Sequence, residues 1–329
     1  MNKTLMSITV IVPTYRRPHD LARCLEALKN QTHPVDEIIV TVRDTDSETW
    51  DFFKEFNRDS LPLRIVTVKV TGVVAAMNAG LEVARGDIVA FTDDDAAPHT
   101  DWLARIEAHF AADKLVGGVG GRDILYRNGR LVEGEKKVVG KVQWFGRAIG
   151  NHHLGVGEAR EVDILKGVNM SFRREAIDQM RFDRRMKGTG AQVHFELAFC
   201  LALKQRGWKL LYDPNILVDH YSAQRFDEDS RDRFSKLAAV NRVHNESLIL
   251  LENLSPLRRT IFILWVILLG TRSNRGLVQS LRFLPHEGLF AGTKLLVSYQ
   301  GFWQGWQTWR NTRIDTETTI NRINAQSEL

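Results

Sequence analysis

At 329 residues the chain is long enough for about two domains, or for one large domain with an appendage. A hydrophobic fraction of 43% and a charged fraction of 26% exclude extended disorder, and a net charge of +5 is too small to indicate nucleic acid as a partner. Its two cysteines, Cys24 and Cys200, stand among apolar residues at helical spacing, which predicts buried thiols and excludes a disulfide framework or a zinc cluster.

Ile8–Val12 is a continuous β-branched run, the pattern of a strand buried on both faces. It is too short for a secretory signal and leads straight into Pro13-Thr14-Tyr15, so a reducing cytoplasm is the expected compartment. Leu21, Leu25 and Leu28 then share one face of a helix that follows Pro18. Next come a strand over Glu37–Val42, a short helix around Trp50–Phe56, a strand over Arg64–Val70, a helix over Val73–Ala84 and a strand over Ile88–Phe91. This β-α-β-α-β rhythm predicts a parallel sheet, and ligands bind off the carboxyl ends of such strands. Pro13-Thr14-Tyr15, Arg43–Asp46, Thr71-Gly72 and Asp93–Asp95 all follow strands and therefore gather on one rim, as in a nucleotide pocket.

The last of these segments carries the strongest signal. Three consecutive carboxylates at a strand tip repel one another unless a cation sits among them, and carboxylate oxygens suit hard divalent ions such as Mg²⁺ or Mn²⁺. From Tyr126 to Asp163 the periodicity fades into Gly- and charge-rich sequence containing Trp144-Phe145 and His152-His153, which reads as an acceptor-binding or gating region. Adjacent histidines on extended backbone point opposite ways, so joint ligation by His152 and His153 is not expected. His194–Trp208 reads as a helix ending at Gly207, with Glu196 in its first turn heading an apolar stripe that includes Cys200 and Leu203. Trp208–Tyr212 follows as a strand, then Asp213-Pro214 and His220.

The segments Ile8-Thr-Val-Ile-Val-Pro-Thr-Tyr-Arg-Arg17, Gly72-Val-Val-Ala-Ala-Met-Asn-Ala-Gly80, Ala84-Arg-Gly-Asp-Ile-Val-Ala-Phe-Thr-Asp-Asp-Asp95 and Gly167-Val-Asn-Met-Ser-Phe-Arg-Arg174, in this order, resemble family 2 glycosyltransferases of the GT-A fold over about residues 7 to 222. The resemblance implies an α/β fold with a Rossmann-like, mostly parallel sheet, and inverting, metal-assisted transfer of a sugar from a nucleoside diphosphate donor. In the family's DXD pattern the first acid lies toward the ribose and the last holds the metal, which maps onto Asp93 and Asp95, with Asp94 able to take either part. His220 matches a histidine that completes the metal shell in some GT-A enzymes. Pro13, Thr14, Tyr15, Gly72 and Asn78 fall in donor-binding segments, Gly167 and Asn169 in the segment beneath the acceptor, and Trp144 in the proposed acceptor region.

Two departures from the family pattern stand out. The turn after the second strand reads Val42-Arg43-Asp44-Thr45-Asp46 instead of paired acids followed by Gly and Ser, so the base contact expected of Asp44 could be a turn aspartate bonding its own backbone. Glu196 matches the aspartate of the family's acidic pair while Phe195 replaces the other acid; Glu196 is the expected catalytic base. A carboxylate acceptor at Asp44 favours UDP or dTDP over GDP.

The last hundred or so residues differ in kind. Ile261–Gly270 is strongly apolar but about half the length of a spanning helix. From Pro256 to Asp315 basic residues and tryptophans outweigh acids, which suggests helices lying on an anionic membrane surface, or a helical subdomain packed on the core. The chain thus divides into a nucleotide-sugar half (1–125), an acceptor and base half (126–225) and a basic, aromatic-rich helical region (226–329). The expected function is metal-dependent glycosyl transfer to a glycan or lipid-linked acceptor by a peripheral protein at the inner face of the cell membrane. The alternative is a non-catalytic, membrane-associated nucleotide-sugar or carbohydrate-binding assembly protein.

Overall fold

A computed structural model of the protein describes residues 5–57, 61–228 and 234–327. The expected rhythm forms as strand β1 (Ile8–Thr14), helix α1 (Pro18–Lys29), strand β2 (Glu37–Arg43), helix α2 (Ser47–Glu55), strand β3 (Leu63–Val68), helix α3 (Val73–Val83) and strand β4 (Ile88–Phe91). In β1, Ile8, Val10 and Val12 pack on one face of the sheet against α1, while Ile11 packs on the other against α3, which is why the run is apolar without alternation. Pro18 opens α1 at its first turn, where a missing N–H costs nothing. Helix α2 starts earlier than expected because Asp46 caps it, accepting the Thr49 N–H at 3.1 Å.

The chain continues through β5 (Ala96–Pro98), α4 (Trp102–Ala112), β6 (Val116–Arg127) and the short strands β7 (Arg130–Leu131), β8 (Lys141–Val142), β9 (Ala148–Ile149) and β10 (Arg160–Glu161). Then follow β11 (Met170–Arg173), α5 (Phe195–Gln205) and β12 (Lys209–Tyr221). One sheet runs in the order β10-β12-β6-β11-β4-β1-β2-β3, with β5 and β7 on its margin. Strands β4, β1, β2 and β3 are mutually parallel, as are β12 and β6, and β11 joins the two groups antiparallel to both. The boundary expected at 125/126 therefore falls inside β6, and both halves share one sheet.

Strand β12 passes through Asp213-Pro214, where the sequence suggested a stop. Its register against β6 shifts between Asp213 and Leu217, and the proline sits in that irregularity, where a ladder N–H is not required. Asn169, expected near the acceptor, is buried beneath this shift: its amide donates to the Ile216 carbonyl at 2.9 Å and its oxygen accepts the Trp102 indole N–H at 2.9 Å.

The C-terminal helices α6 (Lys236–Asn253), α7 (Pro256–Leu268), α8 (Leu277–Glu287) and α9 (Leu289–Ser327) pack on the core beside α5. Helix α6 is the central one: twelve of its residues are buried, and His244 reaches Thr308 of α9 at 3.0 Å. The apolar run expected from Ile261 forms most of α7, with Phe262 and Val266 inward and Leu264, Ile267 and Leu268 outward. Among the described residues no helix is long and apolar enough to cross a membrane.

Asn78, expected at the donor, instead joins α3 to the loop that precedes α5. Its amide donates to the Phe182 carbonyl at 2.9 Å and accepts the Phe182 N–H at 2.8 Å, with both residues buried. Asn78→Ala leaves two buried backbone groups unpaired and is expected to lower stability by about 1–3 kcal/mol in urea unfolding, with an unchanged m-value. An unchanged midpoint would rule out this role.

Candidate active site

A cavity of about 360 Å³ opens at the carboxyl ends of the parallel strands. Pro13, Thr14 and Tyr15 at the end of β1, Thr41 and Arg43 of β2, Gly72 and Val73 at the start of α3, and Asp93 and Asp95 after β4 form one side. Lys166, Gly167, Phe195, Glu196 and His220 form the other, and residues 222 and 224–227 cross between them. Gly72 has φ 102, a conformation that suits glycine, which lets the chain turn from the β3 rim into α3.

The three aspartates separate by environment. Asp94 turns into the wall, where it accepts the Thr14 hydroxyl at 2.7 Å and pairs with Arg17 at 2.8 Å. Asp95 faces His220, whose Nε2 lies 3.6 Å from Oδ1, and its other oxygen meets Arg17 at 3.1 Å and the Ala223 N–H at 2.9 Å. Asp93, Asp95 and His220 each offer a ligand atom within 4.8 Å of the others, a set of two carboxylates and an imidazole that fits Mn²⁺ or Mg²⁺. Burial pushes the Asp94 carboxyl up to about 7, against the pull of Arg17 and Thr14. Burial and the charge of Asp95 also raise Asp93. Burial acts the same way on Asp95, but Arg17, His220 and the Ala223 N–H outweigh it and hold that carboxyl below its ordinary value.

Glu196 lies in the first turn of α5 across the cavity. The Gly167 N–H approaches its Oε1 at 3.4 Å, and burial lifts the carboxyl to about 7 against that contact. Glycine at 167 is required by proximity: a Cβ there would stand 2.9 Å from the Phe195 ring and 3.3 Å from Glu196 Oε1.

On the β2 side the guanidinium of Arg43 stacks over the Tyr15 ring at 3.8 Å and pairs with Asp227 at 2.8 Å. The buried Thr41 hydroxyl borders this corner without a hydrogen-bond partner among the described residues. Asp44 does not line the cavity. It is exposed, and its N–H continues the β2–β3 ladder by donating to the Val68 carbonyl at 3.0 Å. Trp144 is 63% exposed, meets Phe145 edge to face, accepts a hydrogen bond from Arg258 at its carbonyl and does not line the cavity. The paired histidines lie in a short 3-10 turn (His152–Leu154) and not on the extended backbone expected, with His152 buried on the Ile164 carbonyl.

Five site residues were not singled out by sequence pattern: Asp123, Lys166, Thr41, Arg43 and Asp227. Lys166 directly precedes the Gly167 motif, and Arg43 sits beside Asp44, so proximity to a motif was the available signal for both. Asp123 offered none, since its place depends on how β6 and β12 align.

The family described as glycosyl transferase family 2 matches residues 9–181. Glycosyltransferase AglE of Haloferax volcanii is 35% identical over 109 residues, which is 32% of this chain and 36% of that protein. This chain therefore spans about a third of the length of that relative. The glucosyl-dolichyl phosphate glucuronosyltransferase of the same organism is 24% identical over 226 residues, 65% of this chain and 69% of that protein. Among solved structures, mannosyltransferase PcManGT from Pyrobaculum calidifontis in complex with GDP-Man and Mn²⁺ covers 93% of this chain and 85% of its own at 18% identity, with a TM-score of 0.57. GalNAc-T7 with UDP, GalNAc and Mn²⁺ covers 76% of this chain and 49% of its own at 14% identity, with a TM-score of 0.56. At these identities the structural likeness is one of fold.

Arg17 is the cation that the triplet needs when no metal is present. Arg17→Met is expected to lower the melting temperature in EDTA, with a deficit that is present at pH 5 and above and shrinks as pH falls below about 4. The sign follows from Asp95: its carboxyl is held below the ordinary value of about 3.9, so the pairing contributes in full above that value and is lost as pH falls through the lower value of the folded protein. A deficit that is undiminished well below pH 4 would exclude this account.

Proposed function

The chain belongs to glycosyltransferase family 2, and from that premise we propose a metal-dependent, inverting transfer of a sugar from a nucleoside diphosphate donor to a hydroxyl of a glycan or lipid-linked acceptor. The observation that carries the reading is the pairing across one cavity of an acidic, histidine-containing ligand set with a carboxyl poised near neutrality. Asp93, Asp95 and His220 would hold the metal, and PcManGT and GalNAc-T7, which share the fold, were solved with Mn²⁺. When bound, a divalent ion neutralises charge that develops on the departing diphosphate. Tyr15, Thr41 and Arg43 surround the base. Since Asp44 lies outside the cavity, the preference for UDP or dTDP that it suggested loses its basis, and selection of the base falls to these three.

Glu196 takes the proton from the acceptor hydroxyl as that oxygen attacks the anomeric carbon. Entry from the side of Glu196, opposite the diphosphate, inverts the configuration. A carboxyl with a value near 7 is a stronger base than an ordinary glutamate, is about half ionised at neutrality and becomes largely ionised above it. The acceptor is proposed to reach the site from a membrane surface. The relative that acts on glucosyl-dolichyl phosphate supports a lipid-linked acceptor. So does an outward apolar face on α8, Leu277, Val278, Leu281 and Leu284, with basic Arg272 and Arg282 nearby in the chain. The compartment this implies is the inner face of the cell membrane.

Two experiments test the reading. With UDP-, dTDP- and GDP-sugars and Mn²⁺, donor turnover should rise with pH through about 7 and level off, because the base acts ionised. Glu196→Gln should lower turnover by roughly 10²–10⁴-fold and remove that rise while donor binding persists. Donor binding without hydrolysis or transfer by the parent protein would favour the non-catalytic assembly role instead. Separately, Leu281→Glu with Leu284→Glu should abolish sedimentation with phosphatidylglycerol vesicles and leave the fold intact by circular dichroism. Unchanged sedimentation would remove α8 as the docking face. Point changes are preferred to truncation after Pro256 because α9 packs on α6.

A further inference from the structure

Behind the ligand set lies a second layer that begins with Asp123 of β6. Asp123 is fully buried, and one of its oxygens, Oδ2, meets two partners: the Lys166 ammonium and, at 3.2 Å, Nδ1 of His220. A carboxylate paired with a lysine offers only acceptors. The His220 Nδ1 must therefore carry the proton of that contact, and in the neutral ring Nε2 then keeps its lone pair. Nε2 is the nitrogen that faces Asp95, 3.6 Å away, too far for a hydrogen bond that would occupy it. The geometry fixes both the ring's tautomer and its direction.

We infer that Asp123 is a positioning residue that locks His220 in the Nδ1–H tautomer and presents Nε2 to a divalent cation held with Asp93 and Asp95. This rests on the metal-site reading above and adds to it a residue from a different strand. Carboxylates that accept the remote N–H of a ligating histidine are a recurrent means of fixing ring orientation and raising ligand basicity. Lys166 supplies the countercharge that lets Asp123 stay buried, and it also reaches the cavity wall beside Gly167. Asp123 thus ties the cation side of the site to the acceptor side without touching either ligand.

The tautomer can be read in the parent protein alone. In the full chain labelled with ¹⁵N-histidine, metal-free in EDTA at pH 8, long-range ¹H–¹⁵N spectra should give an Nδ1–H signature for His220, assigned by its loss in His220→Gln. A wild-type His220 protonated on Nε2 overturns the inference, whatever any variant does. The second arm titrates Mn²⁺ alone and follows free Mn²⁺ by electron paramagnetic resonance. Asp123→Asn should weaken binding by about 10–100-fold, the usual effect of losing such a partner, and should add nothing in the His220→Gln background. Wild-type affinity in Asp123→Asn, with weakened binding in His220→Gln, sinks the role of Asp123 and leaves the metal site standing. Undiminished affinity in His220→Gln sinks the ligand role of His220, and this inference with it.

Discussion

Four carboxylates, Asp93, Asp94, Asp95 and Asp123, are drawn into one corner of the fold, and that corner can form only if cations come with them. Removing such groups from water costs several kcal/mol each unless close partners replace the solvent. Arg17 is delivered by the turn between β1 and α1 and Lys166 by the chain before β11, while the end of β12 brings the His220 ring against Asp123. None of these elements is adjacent in sequence to β4, so the charge balance constrains how distant parts of the sheet meet. The parallel half supplies Asp93, Asp94, Asp95 and Arg17, and the half beyond β11 supplies Asp123 with its partners Lys166 and His220. A metal would enter a site in which Arg17 and Lys166 already offset part of the carboxylate charge.

The same interdependence extends to the C-terminal helices. Asn245 of α6 donates to the carbonyls of Lys187 and Val193 and accepts the Lys187 N–H, so it holds both ends of the loop that contributes Gly190 and Ala191 to the cavity. Arg185, in the same loop, pairs with Glu252 of α6. Gln192 of that loop in turn accepts the Val74 N–H at the start of α3. Helix α6 therefore braces both the loop before Glu196 and, through it, a wall of the cavity. The region that reads in sequence as a separate basic appendage is part of the frame of the site.

The parallel half of the sheet and the rim that carries the site were legible because their signals are local. A β-branched run, Pro18 and three adjacent acids each constrain their own neighbourhood. Glu196 was legible for the same reason, as a charge at the head of an apolar stripe. Asn78 and Asn169 were not, because the segments around them match the family pattern while their amides are spent on the backbone of Phe182 and on Ile216. Asp44 and Asp46 sit two residues apart in one turn, and only the fold separates the exposed one from the buried cap of α2. The roles of Asp123 and Arg17 depend on contacts 97 and about 80 residues away, which no window along the chain contains.

The irregularity in β12 has a consequence for chain length. Between Asp213 and Leu217 the strand advances four positions while β6 advances one, from Gly121 to Arg122. Three residues are thereby taken up as slack, and Gly121 is needed there because a Cβ would meet the Ile216 carbonyl at 2.0 Å. Were the register to continue evenly, His220 would pass the end of β6 at Arg127 by about one residue and, three being odd, would face the opposite side of the sheet. Asn169, whose amide holds the Ile216 carbonyl, is thus a clasp on that slack. Insertions and deletions should be tolerated in the irregular stretch between β7 and β10 yet selected against between Asp213 and Leu217, where loss of a single residue would turn the imidazole away from the acids.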